Sequence, residues 1–324
     1  RHTRYPLVTG VQTCALPISG STLSPLPNIP YFLTTAPGVL AVTVNDAYDP
    51  VADATKRTFV TPILGSGSFI KRGPGYLVLA PGVVSGLYPP YTGQTTVAEG
   101  WLEMAALATN GPADIGQISR TVISGAVATR SVALTDITGL AIGQSVLGTG
   151  IPADATITAV LNAGSATITG TVNPGATVLP MTSTTGLSVG QVVTGAGFAA
   201  NTIISAINTN TSVTLSNPLV GPSTGLVTGL AGVTLSANLT QAAGGALQVL
   251  SHLVLTTATD VTYTGSVSGA GQLEIRAGTK VLTAGGSLTH TGGTLVRTGT
   301  LLASAGWAGD TEGDITVQIG RAHV

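Results

Sequence analysis

Chemistry would require carboxylates, histidines or a nucleophile set close together, and this chain of 324 residues has only 13 Asp and Glu, four His and one Cys. The densest acidic stretch is Asn45-Asp46-Ala-Tyr-Asp49-Pro-Val-Ala-Asp53, followed by Lys56 and Arg57. Paired carboxylates there could hydrolyse a glycosidic bond, and oxygen ligands at that spacing could hold Ca²⁺. Asp310, Glu312 and Asp314 surround Gly313 in a second candidate that lacks the twelve-residue pattern of a Ca²⁺ loop. Both stretches read more simply as solvated loops. His252 and His290 are isolated, without a second His or Cys at metal-ligand spacing, and each is expected to point outward from a strand. No serine sits in a Gly-x-Ser-x-Gly turn between a strand and a helix, and no glycine-rich loop carries a nucleotide-binding pattern. Accordingly no residue is assigned a catalytic, cofactor-binding or metal-ligating role, no cofactor is expected, and the chain is read as non-enzymatic. Tyr76, Tyr88, Tyr91 and Trp101 could form an aromatic binding patch; packing is the expected role for Tyr76 and Trp101.

The elements carrying these residues are constrained by composition. With 43% hydrophobic residues and a net charge of −1, the chain is not a disordered tail and should fold. Lys and Arg are too few and too scattered to neutralise a phosphate backbone, so no nucleic acid partner is expected. Every apolar run is broken by Gly, Pro, Thr or Asn well short of the roughly 18 residues a transmembrane helix needs, and none is expected in this fragment.

The two ends, residues 1–19 and 319–324, resemble translated sequencing-adapter read-through in reading frames assembled from environmental DNA. They are set aside from fold reasoning as a tag would be. Cys14, His2 and His323 go with them, and removing Arg1, Arg4 and Arg321 moves the net charge from −1 to −4. The natural termini would then lie outside the sequence, and the absence of a signal peptide or membrane anchor carries no information.

From Val39 onward the texture is uniform: four to eight residues of Val, Ile, Leu and Thr, then Gly, Pro, Asn or Ala-Gly, which is a pattern of short strands and turns. Only residues 97–108 could be taken for a helix, and Gly100 in their middle counts against it by about 1 kcal/mol.

Two repeats organise the chain. The segment Thr138-Gly-Leu-Ala-Ile-Gly-Gln onward aligns without gaps at an offset of 47 on Thr185-Gly-Leu-Ser-Val-Gly-Gln, with eleven identities in twenty-three positions. Each unit is read as continuing into a further run, Ala166–Thr169 and Ser212–Ser216, giving about three short strands per module. The unit resembles short β modules of phage structural proteins and bacterial surface proteins. The second repeat comprises Gly65-Ser-Gly-Ser-Phe-Ile-Lys-Arg-Gly-Pro-Gly-Tyr-Leu-Val-Leu79 and, after the insertion 81–90, Tyr91-Thr-Gly-Gln-Thr-Thr-Val-Ala-Glu-Gly-Trp-Leu102. This resembles the autotransporter-associated β-strand repeat, departing from it at Gln94 where Gly is usual. A degenerate copy lies in residues 268–283 and 288–302 and lacks the Lys-x-Gly-x-Gly core. By that resemblance Lys71-Arg72 is a solvated turn pair.

The strand texture implies an all-β fold and the resemblance a right-handed parallel β-helix; the duplicated modules either continue the solenoid or, as the flanking copies of the other repeat favour, are an inserted pair of small β modules. The expected division is solenoid over 20–131, tandem modules over 132–220, and solenoid again over 221–318. The implied function is a structural or adhesive passenger segment of a bacterial surface-displayed or secreted protein, in contact with surface glycans or with host or matrix proteins. The full-length protein would carry an outer-membrane β-barrel. A phage tail fibre or other virion protein is the alternative, and a polysaccharide-degrading β-helix enzyme a third.

Overall fold

The computed structural model describes residues 16–18, 31–33, 39–45, 56–59, 63–65, 67–79, 93–105, 111–303 and 315–317. Every regular element among them is a strand, including the stretch around Gly100. The chain forms two compact units, Arg1–Ile118 with Leu250–Val324, and Ser119–Val249.

Among the described residues of the first unit the strand pairs are parallel. One sheet takes β1 (Leu16–Ile18), β3 (Val39–Val44), β6 (Ser68–Arg72), β8 (Thr95–Val97), β10 (Ala113–Ile115) and β25 (Val267–Gly269). The other takes β4 (Arg57–Phe59), β7 (Tyr76–Leu79), β9 (Trp101–Ala105), β23 (His252–Thr256), β26 (Gln272–Ala284), β27 (Thr294–Ala303) and β28 (Ile315–Val317). A side strand, β24 (Val261–Tyr263), pairs with β26, and β2 (Tyr31–Leu33) pairs with β5 (Ile63–Gly65). β1, inside the adapter-like segment, pairs with β3 through Leu16↔Val42 to Ile18↔Val44.

Short glycine-containing turns carry the chain from the first sheet to the second at residues 73–75 between β6 and β7, 98–100 between β8 and β9, and 270–271 between β25 and β26, so that one strand of each forms a rung. No rung is long enough to bury a face alone; stacking in register makes continuous columns. Leu77, Leu102, Leu253 and Leu273 occupy one register position on β7, β9, β23 and β26, and all are buried. Burying such a leucine contributes about 1.5–3 kcal/mol. In the first sheet Leu40, Phe69, Thr95, Ala113 and Val267 form a second column, and Val42, Lys71, Val97 and Ile115 a third.

One rung is interrupted. After β10 the chain leaves, and it returns 136 residues after Gly116, at His252, to supply β23 between β9 and β26. The turn is closed across the gap: Ser251 N–H donates to Gly116 O at 3.1 Å, and Gly116 N–H to Val97 O at 2.8 Å.

The second unit is antiparallel throughout, unlike a parallel β-helix, and it is built twice. The first copy takes β11 (Gln117–Ser124), β12 (Ser131–Leu134), β13 (Val146–Thr149) and β14 (Ile157–Leu161), and is completed much later by β21 (Gly232–Leu235) and β22 (Gly244–Leu250). These lie in the order β13-β22-β11-β12-β21-β14, and the bridge Ser145↔Thr156 joins the two ends, completing a ring of pairings. The second copy takes β15 (Gly164–Val172), β16 (Val178–Pro180), β17 (Val193–Thr194), β18 (Ile204–Asn208), β19 (Ser212–Leu215) and β20 (Ser223–Gly229).

Correspondence between the copies is residue by residue. Ser131↔Thr234 matches Val178↔Thr214, Ile157↔Leu235 matches Ile204↔Leu215, and Val146↔Val249 matches Val193↔Gly229. The bridge Ser145↔Thr156 recurs as Val192↔Ile203. Left-handed turn residues recur too: Asp154 at φ 61° and Asn201 at 59°, Gly150 at 78° and Gly197 at 80°. Through β18 the offset is 47, but for the last two strands it is 20 in the opposite direction. The second copy is therefore nested inside the first, between β14 and β21. The expected continuation of the first module into Ala166–Thr169 is corrected: those residues belong to β15 of the second copy, and the counterpart of Ser212–Ser216 is Gly232–Ser236.

Candidate functional site

Chemistry-bearing side chains converge at two places in the first unit. The first is the turn between β6 and β7. Alternation along β6 puts Phe69 and Lys71 on the inner face and Arg72 outside. Lys71 is fully buried, which corrects its expected place in a solvated pair; register, not charge, decides, because position 71 stands between Val42 and Val97 in an inward column. Its ammonium is accommodated because all three donors find backbone carbonyls, those of Gly73, Gly75 at 2.5 Å and Glu99 at 2.9 Å. The Glu99 carboxylate accepts the Gly73 N–H at 2.9 Å. Burial pulls Lys71 down to about 7 from its ordinary 10.5, and Glu99 opposes that.

The glycines of the Lys-x-Gly-x-Gly sequence follow from this clip. Gly73 has φ 78°, and a Cβ there would lie 2.4 Å from Val44 O; at Gly100, φ 66°, a Cβ would lie 2.6 Å from the Lys71 ammonium. Either substitution would combine backbone strain with a clash. The clip is saturated with protein acceptors and leaves no donor for a ligand.

The second place is the face of the β7-β9-β23-β26-β27 sheet opposite the leucine column. Tyr76, Trp101 and His252 share one register position, and the rings stack: Tyr76 and Trp101 at 6.3 Å and 12°, Trp101 and His252 at 5.1 Å and 21°. His252 has the outward parity expected of it, yet it is only 3% exposed, and His290 only 4%. Both outward assignments are corrected. His252 is covered because this face is itself packed, and His290 turns its Nε2 to Thr294 Oγ1 at 2.8 Å. Burial first, then the charges of Arg297 and Arg276, push His252 down to about 3, so its imidazole is neutral at ordinary pH.

Two positions further along the same face is a charged row. Glu103 on β9 and Glu274 on β26 share a register, separated by Val254 on β23. Glu103 Oε2 accepts the Tyr76 hydroxyl at 2.6 Å and lies 3.5 Å from the Lys56 ammonium, which sits 4.7 Å from the Tyr76 ring centre. Burial, with help from Glu103 and Glu274 and against Arg276, raises the Tyr76 phenol above its ordinary value. Glu274 is 2% exposed, and its Oε1 accepts both Arg276 Nε at 2.6 Å and Arg297 Nε at 2.5 Å.

Two strand spacings separate the carboxylates, roughly 9–10 Å, near the upper end of the separation that inverting glycoside hydrolysis uses. Their partners argue for a structural role. Glu274 is clamped by two guanidiniums, and Glu103 is held by a phenol and an ammonium. Sequence reasoning missed this row, although a signal was present: Gly100-Trp-Leu-Glu103 and Gly271-Gln-Leu-Glu274 begin equivalent rungs, as do Gly75-Tyr-Leu-Val78 and Ser251-His-Leu-Val254.

Of the other candidates, Asp46, Asp49, Asp53, Tyr88, Tyr91, Asp310, Glu312 and Asp314 lie outside the described residues. Among the described residues no group of three or more His, Cys, Asp or Glu could hold a metal ion, and no helix is long and apolar enough to cross a membrane. No protein-family model, curated protein or solved structure matches the chain.

Proposed function

We propose that the chain is a non-enzymatic structural or adhesive passenger segment of a bacterial surface-displayed or secreted protein. On this reading the first unit is a right-handed parallel β-helix and the second an inserted pair of binding modules. The observation that carries it is the interrupted rung: β23 takes its place between β9 and β26 although 131 residues of another fold intervene, as a scaffold bearing an appended module requires. Right-handedness is the rule for parallel strands joined by crossovers. The saturated Lys71 clip and the clamped Glu274 support a load-carrying role over catalysis.

Purified protein should bind immobilised surface glycans or matrix proteins and leave soluble polysaccharides intact, and the flanking DNA should encode a β-barrel translocator. Polysaccharide turnover abolished by Glu103→Gln or Glu274→Gln would refute the reading in favour of an enzyme. Neighbouring tail genes would refute it in favour of a virion protein, the reading that the duplicated module favours.

A further inference from the structure

The nesting of one module inside the other points to a rule of growth. In the second copy, β18 and β19 are joined by the turn Thr209-Asn-Thr211. In the first copy the equivalent strands, β14 and β21, are joined by residues 162–231, which contain the entire second copy. One structural position thus holds three residues in one copy and a whole domain in the other.

The junction is built for this. Leu161 pairs with Gly232, and Gly164 pairs with Gly229, so each domain closes its own ladder at the boundary. Only Asn162-Ala163 and Leu230-Ala231 run between them. The shared surface is formed by a cluster of Ala133, Val192 and Ile203 with Leu230 packed against it, by Gly190 close against Thr234, and by two bonds, Gln191 Nε2 donating to Asn162 O at 2.7 Å and Leu230 N–H to Val192 O at 2.8 Å. The core of the second copy, including Leu179, Ile204, Val213 and Val227, comes from the second copy alone.

The turn 209–211 is closed by local bonds and by two to other segments: Asn210 N–H donates to Thr184 Oγ1 at 2.9 Å, and Met181 N–H to Thr211 O at 2.8 Å, a bond that the first copy keeps across its insertion as Leu134 N–H to Ala231 O at 2.9 Å. Asn210 takes the left-handed conformation at φ 57°, Thr211 N–H donates to Asn208 O at 3.1 Å, and the Asn208 amide donates to Ser212 Oγ at 3.0 Å. A two-strand closure of this kind depends on its flanking ladder and only marginally on what the loop contains.

We infer that residues 162–231 are an interchangeable cassette, and that the Asn208–Ser212 turn of the second copy is a vacant acceptor position able to carry another such domain or a displayed segment. The chain would lengthen its second unit by insertion at this point while both ladders stay closed.

Two full-chain variants test this. In the first, residues 162–231 are replaced by Thr-Asn-Thr, giving β14 and β21 the short turn of the second copy. In the second, Thr209–Thr211 are replaced by another copy of 162–231. Amide exchange is read strand by strand. The expected result is that protection in β12, β14 and β21 of the excised variant stays within about tenfold of the parent, and that the added copy is protected like the resident one. Loss of β14 and β21 protection on excision would show that the first copy cannot close without its guest. An added copy that is unprotected, or that strips protection from β18 and β19, would show that the turn accepts nothing. Either result overturns the inference.

Discussion

The two units solve the same problem with opposite means. Within 119–249 only four residues carry charge, Arg120, Arg130, Asp136 and Asp154, and only Phe198 is aromatic. The first unit holds every Lys, Glu, His, Tyr and Trp of the chain. In the second unit antiparallel ladders close into rings, leaving no long free edge to protect, and small apolar cores suffice. In the first, parallel rungs stack openly, and charged or aromatic side chains are fixed where the stack needs them: Lys71 beneath a turn, Glu274 between two arginines, and Trp101 between Tyr76 and His252. Buried charges therefore belong to the first unit, while the second has one exposed pair, Arg120 and Asp136 at 3.4 Å, so the larger sensitivity to pH or charge is expected in the first.

The largest effect should come from Lys71→Met. The side chain keeps its length but leaves three buried carbonyls without their donor, at about 3 kcal/mol or more. Denaturation followed by Trp fluorescence reports the first unit selectively, because the second has no Trp, and only that transition should move. Leu102→Ala comes next: it opens a gap in a column with buried leucines on both neighbouring strands and should cost about 2–5 kcal/mol in the same transition. Leu179→Ala should cost a similar amount in the second unit alone, read by amide exchange. Equal effects of either substitution on both units would erase the distinction.

Acid should separate the units as well. Folding holds His252 near 3 against about 6.5 when unfolded, so between those values the unfolded state binds the extra proton and stability falls as pH falls. The loss approaches about 4 kcal/mol by pH 3. His252→Phe, which preserves a ring against Trp101, should flatten this part of the pH profile in the Trp transition. The second unit, without histidine, should change little between pH 6.5 and 5. The smallest effect is expected at Gly225→Ala: φ is 80° but nothing lies within 4 Å of the added methyl, so only backbone strain of about 1 kcal/mol is paid. At Gly197 the same change places Cβ 2.4 Å from Gly221 O and should cost clearly more.

How far the sequence foretold this depends on which spacing carried the information. The all-β character was legible in the short β-branched runs and glycine turns. The 47-residue repeat was legible because twenty-three positions align without a gap. Its nesting was not, since the last two strands repeat at a different offset, with the second copy's pair preceding the first copy's, which no single offset reveals. Lys71 was misplaced because charge suggested solvent, whereas alternation along β6 and three carbonyls placed it inside. His252 was read with the right parity and the wrong exposure, since parity does not say whether the outer face of a sheet is covered. Glu103 and Glu274 lie 171 positions apart in sequence, and only the register of three strands unites them.

The most direct test of the interrupted stack is to excise Ser119–Val249 and join Ile118 to Leu250 through a short glycine linker. If β10 and β23 are two halves of one rung, the shortened chain should keep a cooperative, all-β transition and the near-ultraviolet signal of the Trp101–His252 stack. A chain that loses that signal and melts without cooperativity would contradict the account.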